Sequence, residues 1–202
     1  MPAQNLSQNS SMDALTLNLN PIIELTDEQF FQLCQLHELI RFERNADGTL
    51  LLMPLVGGTT SIRNASLTAQ LGMWNRDEQL GIGFDSSTGF TLPNGAVRSP
   101  DASWLKGDRW DALTQEQKET FAPVCPDFVV ELRSATDCLK RLQSKMREYR
   151  DNGARLGWLI DLETQKVEIY RPDQEVEVLE YPANLSGESV LPGFILNIES
   201  IW

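Results

Sequence analysis

The spacing of apolar residues changes several times along this chain, and each change predicts an element. Phe30, Leu33 and Leu36 recur at helical spacing behind Thr26, with Gln29 placed to close a capping box, so a short helix is expected over about 26–37. LIRFER and TLLLMP are extended stretches separated by Asn45 to Gly48, and the Asp47-Gly48 turn signal predicts a β-hairpin at a sheet edge. Ile62, Ala65, Ala69, Leu71 and Met73 to Trp74 fit a second helix from Ser61 to Arg76 imperfectly, with Gly81 to Gly83 as its exit. GFDSSTGFTL and AVRSPDASWL, on either side of a turn at Pro93 to Gly95, read as a strand pair where the central sheet begins. A charged insertion over 107–122 carries one or two helical turns opened by Thr114, with Gln117 as its box partner.

DFVVEL, bounded by Pro126 and Ser134, is a β-branched run suited to a central strand buried on both faces. Behind it, Ala135 to Asn152 forms an amphipathic helix with Cys138, Leu139, Leu142, Met146 and Tyr149 on the face that packs on the sheet, ended by Asn152-Gly153. RLGWLID and KVEIYRP turn at Leu162 to Thr164 into a strand pair, and LPGFILNI supplies a last short strand. Helices against a mixed sheet make an α/β or α+β domain over residues 21–202, behind a polar, aperiodic lead-in over residues 1–20 that is expected to be poorly ordered. No internal repeat interrupts this order.

Composition narrows the function more than the fold. The chain has 202 residues, 41% of them hydrophobic and 23% charged, with no apolar run near a membrane span and no signal-peptide pattern, so a soluble, cytoplasmic protein is expected. Cys34, Cys125 and Cys138 form no CxxC pair, which argues for reduced cysteines over a disulfide framework or zinc cage. The single histidine, His37, reads as a surface residue, so histidine-based triads and multi-histidine metal sites have nothing to draw on. GxGxxG and GxxxxGK[ST] loops are missing, which excludes the usual nucleotide cradles. A net charge of -12 speaks against nonspecific coating of nucleic acid, so an anionic partner must meet a local basic face. Such a face exists between Arg133 and Arg155, where seven basic residues stand against three acidic ones. A solvated helix face is the usual explanation of such a run.

The candidate chemistry is a constellation of opposite charges. Alternation along DFVVEL puts Asp127, Val129, Glu131 and Arg133 on one side, and the flanking valines make that side at least partly dry. A buried Glu131 carboxylate costs several kcal/mol unless a cation, a metal or hydrogen-bond donors compensate it. Lys145, between Leu142 and Tyr149 in helical spacing, lies nearer the apolar centre of its helix than Lys140, Arg141 or Arg147 and should point toward the sheet. A Glu131 ion pair with Lys145 or Arg133, without chemistry, is the simpler reading of those residues alone. Asp101, after Ser99-Pro100 at the entry to DASWL, taken singly is a turn residue. Asp101, Glu131 and Lys145 together would form a site for a hard divalent cation with oxygen ligands.

SPDASWL, then CPDFVVELRSATDCLKRLQSKMREYRDNGARLGWLIDLETQKVEIYRP, then LPGF, resemble in order and spacing a bacterial restriction endonuclease-like family, formerly a domain of unknown function, in the PD-(D/E)XK nuclease superfamily. The resemblance runs from about Glu43 to Ile198, with FERNADGTLLLMP and the helix after GGTTSIRN included. It implies a restriction endonuclease-like core, a mixed central sheet flanked by helices, with an N-terminal helix and hairpin added. It further implies Asp101 and Glu131 as magnesium ligands, with manganese as a substitute and the Leu132 carbonyl as a further ligand. Glu131-Leu132-Arg133 departs from the superfamily's (D/E)xK pattern, and the resemblance assigns the catalytic lysine to Lys145 on the following helix. Arg133 cannot act as a base but can brace a phosphate. The implied activity is magnesium-dependent hydrolysis of DNA phosphodiester bonds by a homodimeric endonuclease. The competing expectation is a catalytically silent DNA- or protein-binding module on the same fold.

Overall fold

A computed structural model describes residues 15–20, 22–37, 39–53, 57–135 and 137–202. Strand β1 (Leu15–Leu17) opens them, so the last part of the expected lead-in is ordered, while its first 14 residues lie outside the described residues. Thr26 and Gln29 form the expected reciprocal capping box at the start of α1 (Asp27–Leu36). Strands β2 (Arg41–Arg44) and β3 (Leu50–Met53) form the hairpin, but not at an edge. Leu15 to Leu17 pair with β3 on one side, and Arg44 pairs with Val97 on the other, so the hairpin is interior to its sheet.

Helix α2 (Gly58–Glu78) begins before Ser61 and runs past Arg76 until Gln79 adopts a left-handed conformation. Gly81 and Gly83, expected at its exit, belong to β4 (Gly81–Asp85). Next come β5 (Phe90–Thr91), β6 (Val97–Arg98) and β7 (Ala102–Lys106). The single expected strand pair is therefore four strands divided between two sheets. β5 and β6 close around the Pro93–Gly95 turn, whereas β4 and β7 pair with each other elsewhere. The charged insertion folds as α3 (Gly107–Asp111) and α4 (Gln115–Glu119), the second opened by the Thr114–Gln117 capping box.

The rest of the chain supplies β8 (Phe128–Arg133), α5 (Leu139–Asp151), β9 (Leu156–Asp161), β10 (Lys166–Tyr170), β11 (Glu177–Glu180), β12 (Asn184–Ser186) and β13 (Ile195–Asn197). One sheet runs β1-β3-β2-β6-β5, a second runs β11-β10-β9-β8-β7-β4, and β12 pairs with β13. Within the six-stranded sheet β8 and β9 are parallel, with α5 as the crossover, and the other pairs are antiparallel. This is the expected mixed sheet with helical flanks, and DFVVEL is central in it. Phe128, Val130 and Leu132 face Leu67 and Leu71 of α2 together with Phe194 and Leu196 near the C-terminus. Val129 faces Leu142, Met146 and Tyr149 of α5.

α5 begins later than expected, because Cys138 caps it and is exposed; Thr136 lies outside the described residues. Its end agrees, with Asn152 as C-cap and Gly153 at φ +110°. Gly157 on β9 allows the close approach: a Cβ there would stand 2.6 Å from the Met146 methyl, so a larger residue would force that side chain to shift. Burial of Met146 and Tyr149 on this face contributes roughly 1.5–3 kcal/mol each. The three cysteines are free and His37 is exposed, both as expected. Among the described residues no helix is long and apolar enough to cross a membrane.

Candidate active site

The register of β7 on β8 brings the two candidate carboxylates together. Ala102 pairs with Val130 in antiparallel sense, so the preceding Asp101 comes level with Glu131. Leu132 donates its backbone N–H to Asp101 Oδ2 at 2.8 Å, and Asn64 on α2 donates to Oδ1 at 3.2 Å, which aims the carboxylate across the ends of the two strands. Glu131 is 4% exposed and lies on the Val129 face of the strand, toward α5. From that helix Lys145 Nζ reaches Glu131 Oε1 at 2.8 Å, and Tyr149 Oη donates to the same oxygen at 3.1 Å. Asp101, Glu131 and Lys145 thus converge, and of the two ion pairs open to Glu131 in the sequence, it makes the one with Lys145.

A fourth residue was not anticipated. Glu43 of β2 is 3% exposed and accepts a hydrogen bond from Lys145 Nζ at 2.8 Å, so one ammonium bridges two carboxylates. The Ser99 backbone N–H donates to the same Glu43 oxygen at 3.0 Å, and Arg98 stands 3.4 Å from the other. Arg98 is also bound to Glu148 at 2.5 Å and to Asn45 at 2.8 Å. Nothing in the local pattern of RFER distinguishes Glu43 from a solvent-facing hairpin residue. Its partner lies 102 positions away, and only the tertiary fold joins them.

These contacts divide the charges. Burial raises the Glu43 carboxyl, but the charges of Lys145 and Arg98 outweigh it and hold the group below its ordinary range. Burial lowers Lys145, but Glu131 and Glu43 more than restore it, so the ammonium stays protonated. Glu131 carries the remaining strain: burial, with the neighbouring Asp101 and Glu43 charges, raises it to about 7 against the pull of Lys145. Burial likewise raises Asp101, opposed by the Leu132 N–H, Lys145 and Arg41. Two carboxyls raised side by side form a site short of positive charge.

The cluster opens into a cavity of about 720 Å³ lined by Arg41, Glu43, Asp101, Glu131, Lys145 and Arg141, among others. Arg133, the expected phosphate contact, is not among its lining residues. Its guanidinium lies 2.9 Å from Asp161 and 2.8 Å from Glu163, at the turn after β9. Asp127, on the same side of β8, pairs with Arg109 at 2.9 Å and takes no part either.

Asp101 and Glu131 fit a magnesium ion, which takes one or two carboxylates and keeps several waters. Asn64 Oδ1, on the amide that holds Asp101, is buried without a hydrogen-bond partner among the described residues, an acceptor that a cation or its water would satisfy. A cage made of protein alone is not present: among the described residues no group of three or more His, Cys, Asp or Glu side chains is arranged around a metal position.

With this geometry in place, residues 27–199 match the profile of the Uma2 family, described as a putative restriction endonuclease. The chain belongs to that family. Family and fold together make it a nuclease-family protein, as the sequence resemblance implied. Among solved structures, a putative nuclease belonging to DUF820 from Anabaena variabilis ATCC 29413 is similar, with a TM-score of 0.72 and 22% identity over 88% of this chain and 97% of that one. At that identity the likeness establishes a shared fold. No curated protein matches the chain.

Proposed function

We propose that this Uma2-family chain is a magnesium-dependent DNA endonuclease acting at Asp101, Glu131 and Lys145, with manganese as a substitute metal. The observation that carries the reading is the meeting of two carboxylates whose pKa values are raised with a half-buried lysine, all lining one cavity. Asp101 and Glu131, with the Leu132 carbonyl, would hold the metal, which when bound supplies an activated water and neutralises charge on the phosphodiester. Asp101 is fixed for this by the Leu132 N–H and Asn64. Lys145, kept protonated between Glu131 and Glu43, positions water and offsets the charge that develops on the phosphate; it does not act as the base. Tyr149 holds Glu131 as a protonated phenol, since burial and the nearby Glu131 and Glu43 charges raise it well above the ordinary value. Homodimerisation would let two such sites address both strands of a duplex.

Plasmid nicking with magnesium, with manganese and with chelator tests the reading, alongside Asp101→Ala and Lys145→Ala. Metal-dependent nicking that disappears in both variants supports it, and a folded wild type that nicks under no metal overturns it. One observation favours a second reading, a silent DNA- or protein-binding module: the Glu43–Lys145–Glu131 network is already neutralised in part by its own contacts. On that reading Glu131→Ala unfolds the protein, and magnesium produces no thermal shift.

A further inference from the structure

Resting on the nuclease reading, we infer that Arg41 is the residue that grips the phosphate of the substrate, in the place the sequence offered to Arg133. Four cations line the cavity, and three of them are already paired. Lys145 bridges Glu131 and Glu43, each at 2.8 Å. Arg98 is bound between Glu148 and Glu43, and Arg141 lies 3.6 Å from Asp137. Arg41 has no carboxylate partner among the described residues. Its contacts are neutral: Nη2 donates to the Ser86 carbonyl at 2.6 Å and to Ser99 Oγ at 3.2 Å.

Those two contacts hold the guanidinium at the cavity rim and leave Nε and Nη1 without a hydrogen bond among the described residues. Arginine presents five donors in a planar fork that suits a phosphate. Arg41 lines the same cavity as Asp101 and Glu131, so a phosphate held there would share that cavity with the carboxylates. Ser99 links the two halves of the site, because its hydroxyl meets Arg41 while its backbone N–H holds Glu43. In a chain of net charge -12, an arginine held in place without an anion marks the position where an external anion completes the site.

The test is binding of a short fluorescent DNA duplex across a salt series, with calcium replacing magnesium to prevent turnover, for wild type, Arg41→Gln and Arg41→Lys, with Arg133→Gln as a control. Arg41→Gln is expected to weaken binding about tenfold and to lower the slope of log affinity against log salt by about one, the change for a single lost phosphate contact. Arg41→Lys retains the slope and loses less affinity, and Arg133→Gln retains the wild-type slope. If Arg41→Gln binds with wild-type affinity and slope, the inference is overturned while the nuclease reading stands. A folded wild type that neither binds nor nicks DNA overturns both. Should Arg41→Gln unfold, Arg41→Lys decides through kinetics: a raised KM at unchanged kcat supports the grip, and an unchanged KM overturns it.

Discussion

Glu131 and Arg133 stand two residues apart on the same side of β8, and their surroundings could hardly differ more. Glu131 has β7 beside it, where Asp101 adds a like charge, and α5 above it, where Lys145 must serve two carboxylates. Arg133 leans the other way, to the end of β9, where Asp161 and Glu163 meet it at 2.9 and 2.8 Å. One neighbourhood is short of positive charge and open to a cavity; the other is complete. Burial raises the Asp161 carboxyl, but the Thr164 hydroxyl, the Glu163 N–H and Arg133 outweigh it and hold the group low. Glu131 is buried more deeply than Asp161 and meets like charges where Asp161 meets donors, so burial and partners together set the difference in sign. A charged residue on the right face of the right strand is a site residue only if its neighbours leave its charge unmet.

Removing each charge in turn should affect the two neighbourhoods in opposite ways. Glu131→Gln should lower metal-dependent cleavage on the order of 10³-fold, equivalent to several kcal/mol of barrier, while thermal stability without metal stays equal or rises. Rate assays paired with thermal unfolding check both halves, and a loss of folding in place of activity would put Glu131 with Arg133 as a structural charge. Arg133→Met should do the reverse, leaving cleavage within about twofold and costing about 1–3 kcal/mol of stability, because Asp161 keeps its Thr164 and Glu163 donors but loses its cation.

Acidity separates the two regions further. A carboxyl raised on folding contributes stability that is complete below its unfolded pKa and lost as pH rises through its folded value. Glu131 therefore favours the folded chain in mildly acidic, chelator-containing buffer and withdraws that support as pH rises toward about 7. Asp161, lowered on folding, acts oppositely: its contribution is present above the unfolded carboxylate range and is lost as pH falls through its folded pKa. Thermal midpoints measured against pH should lose their neutral limb in Glu131→Gln and part of their acidic limb in Asp161→Asn. The smallest expected effect belongs to Tyr149→Phe. Loss of its hydrogen bond should cost about 1 kcal/mol and shift the pH dependence of activity upward, since a donor to the ionised Glu131 is gone.

Much of this was legible in the chain itself, because it rests on local rules. The capping boxes at Thr26 and Thr114 need only residues three apart, and the central strand and its covering helix need only the runs DFVVEL and Leu142, Met146, Tyr149. Lys145 could be aimed at the sheet from helical spacing, and Asp101 and Glu131 could be named as partners. What the chain could not display is which strand lies beside which. GFDSSTGFTL and AVRSPDASWL read as one pair and are divided between two sheets, since hydrogen-bonding edges are shared across distance and not along the sequence. Glu43 entered the site only when the fold brought it to Lys145 of α5, and Arg133 left it only when Asp161 and Glu163 came within reach. Sequence determined which residues carry charge and which face of their element they occupy; tertiary structure decided whose charge is neutralised, because that depends on atoms brought within about 3 Å from positions far apart in the chain.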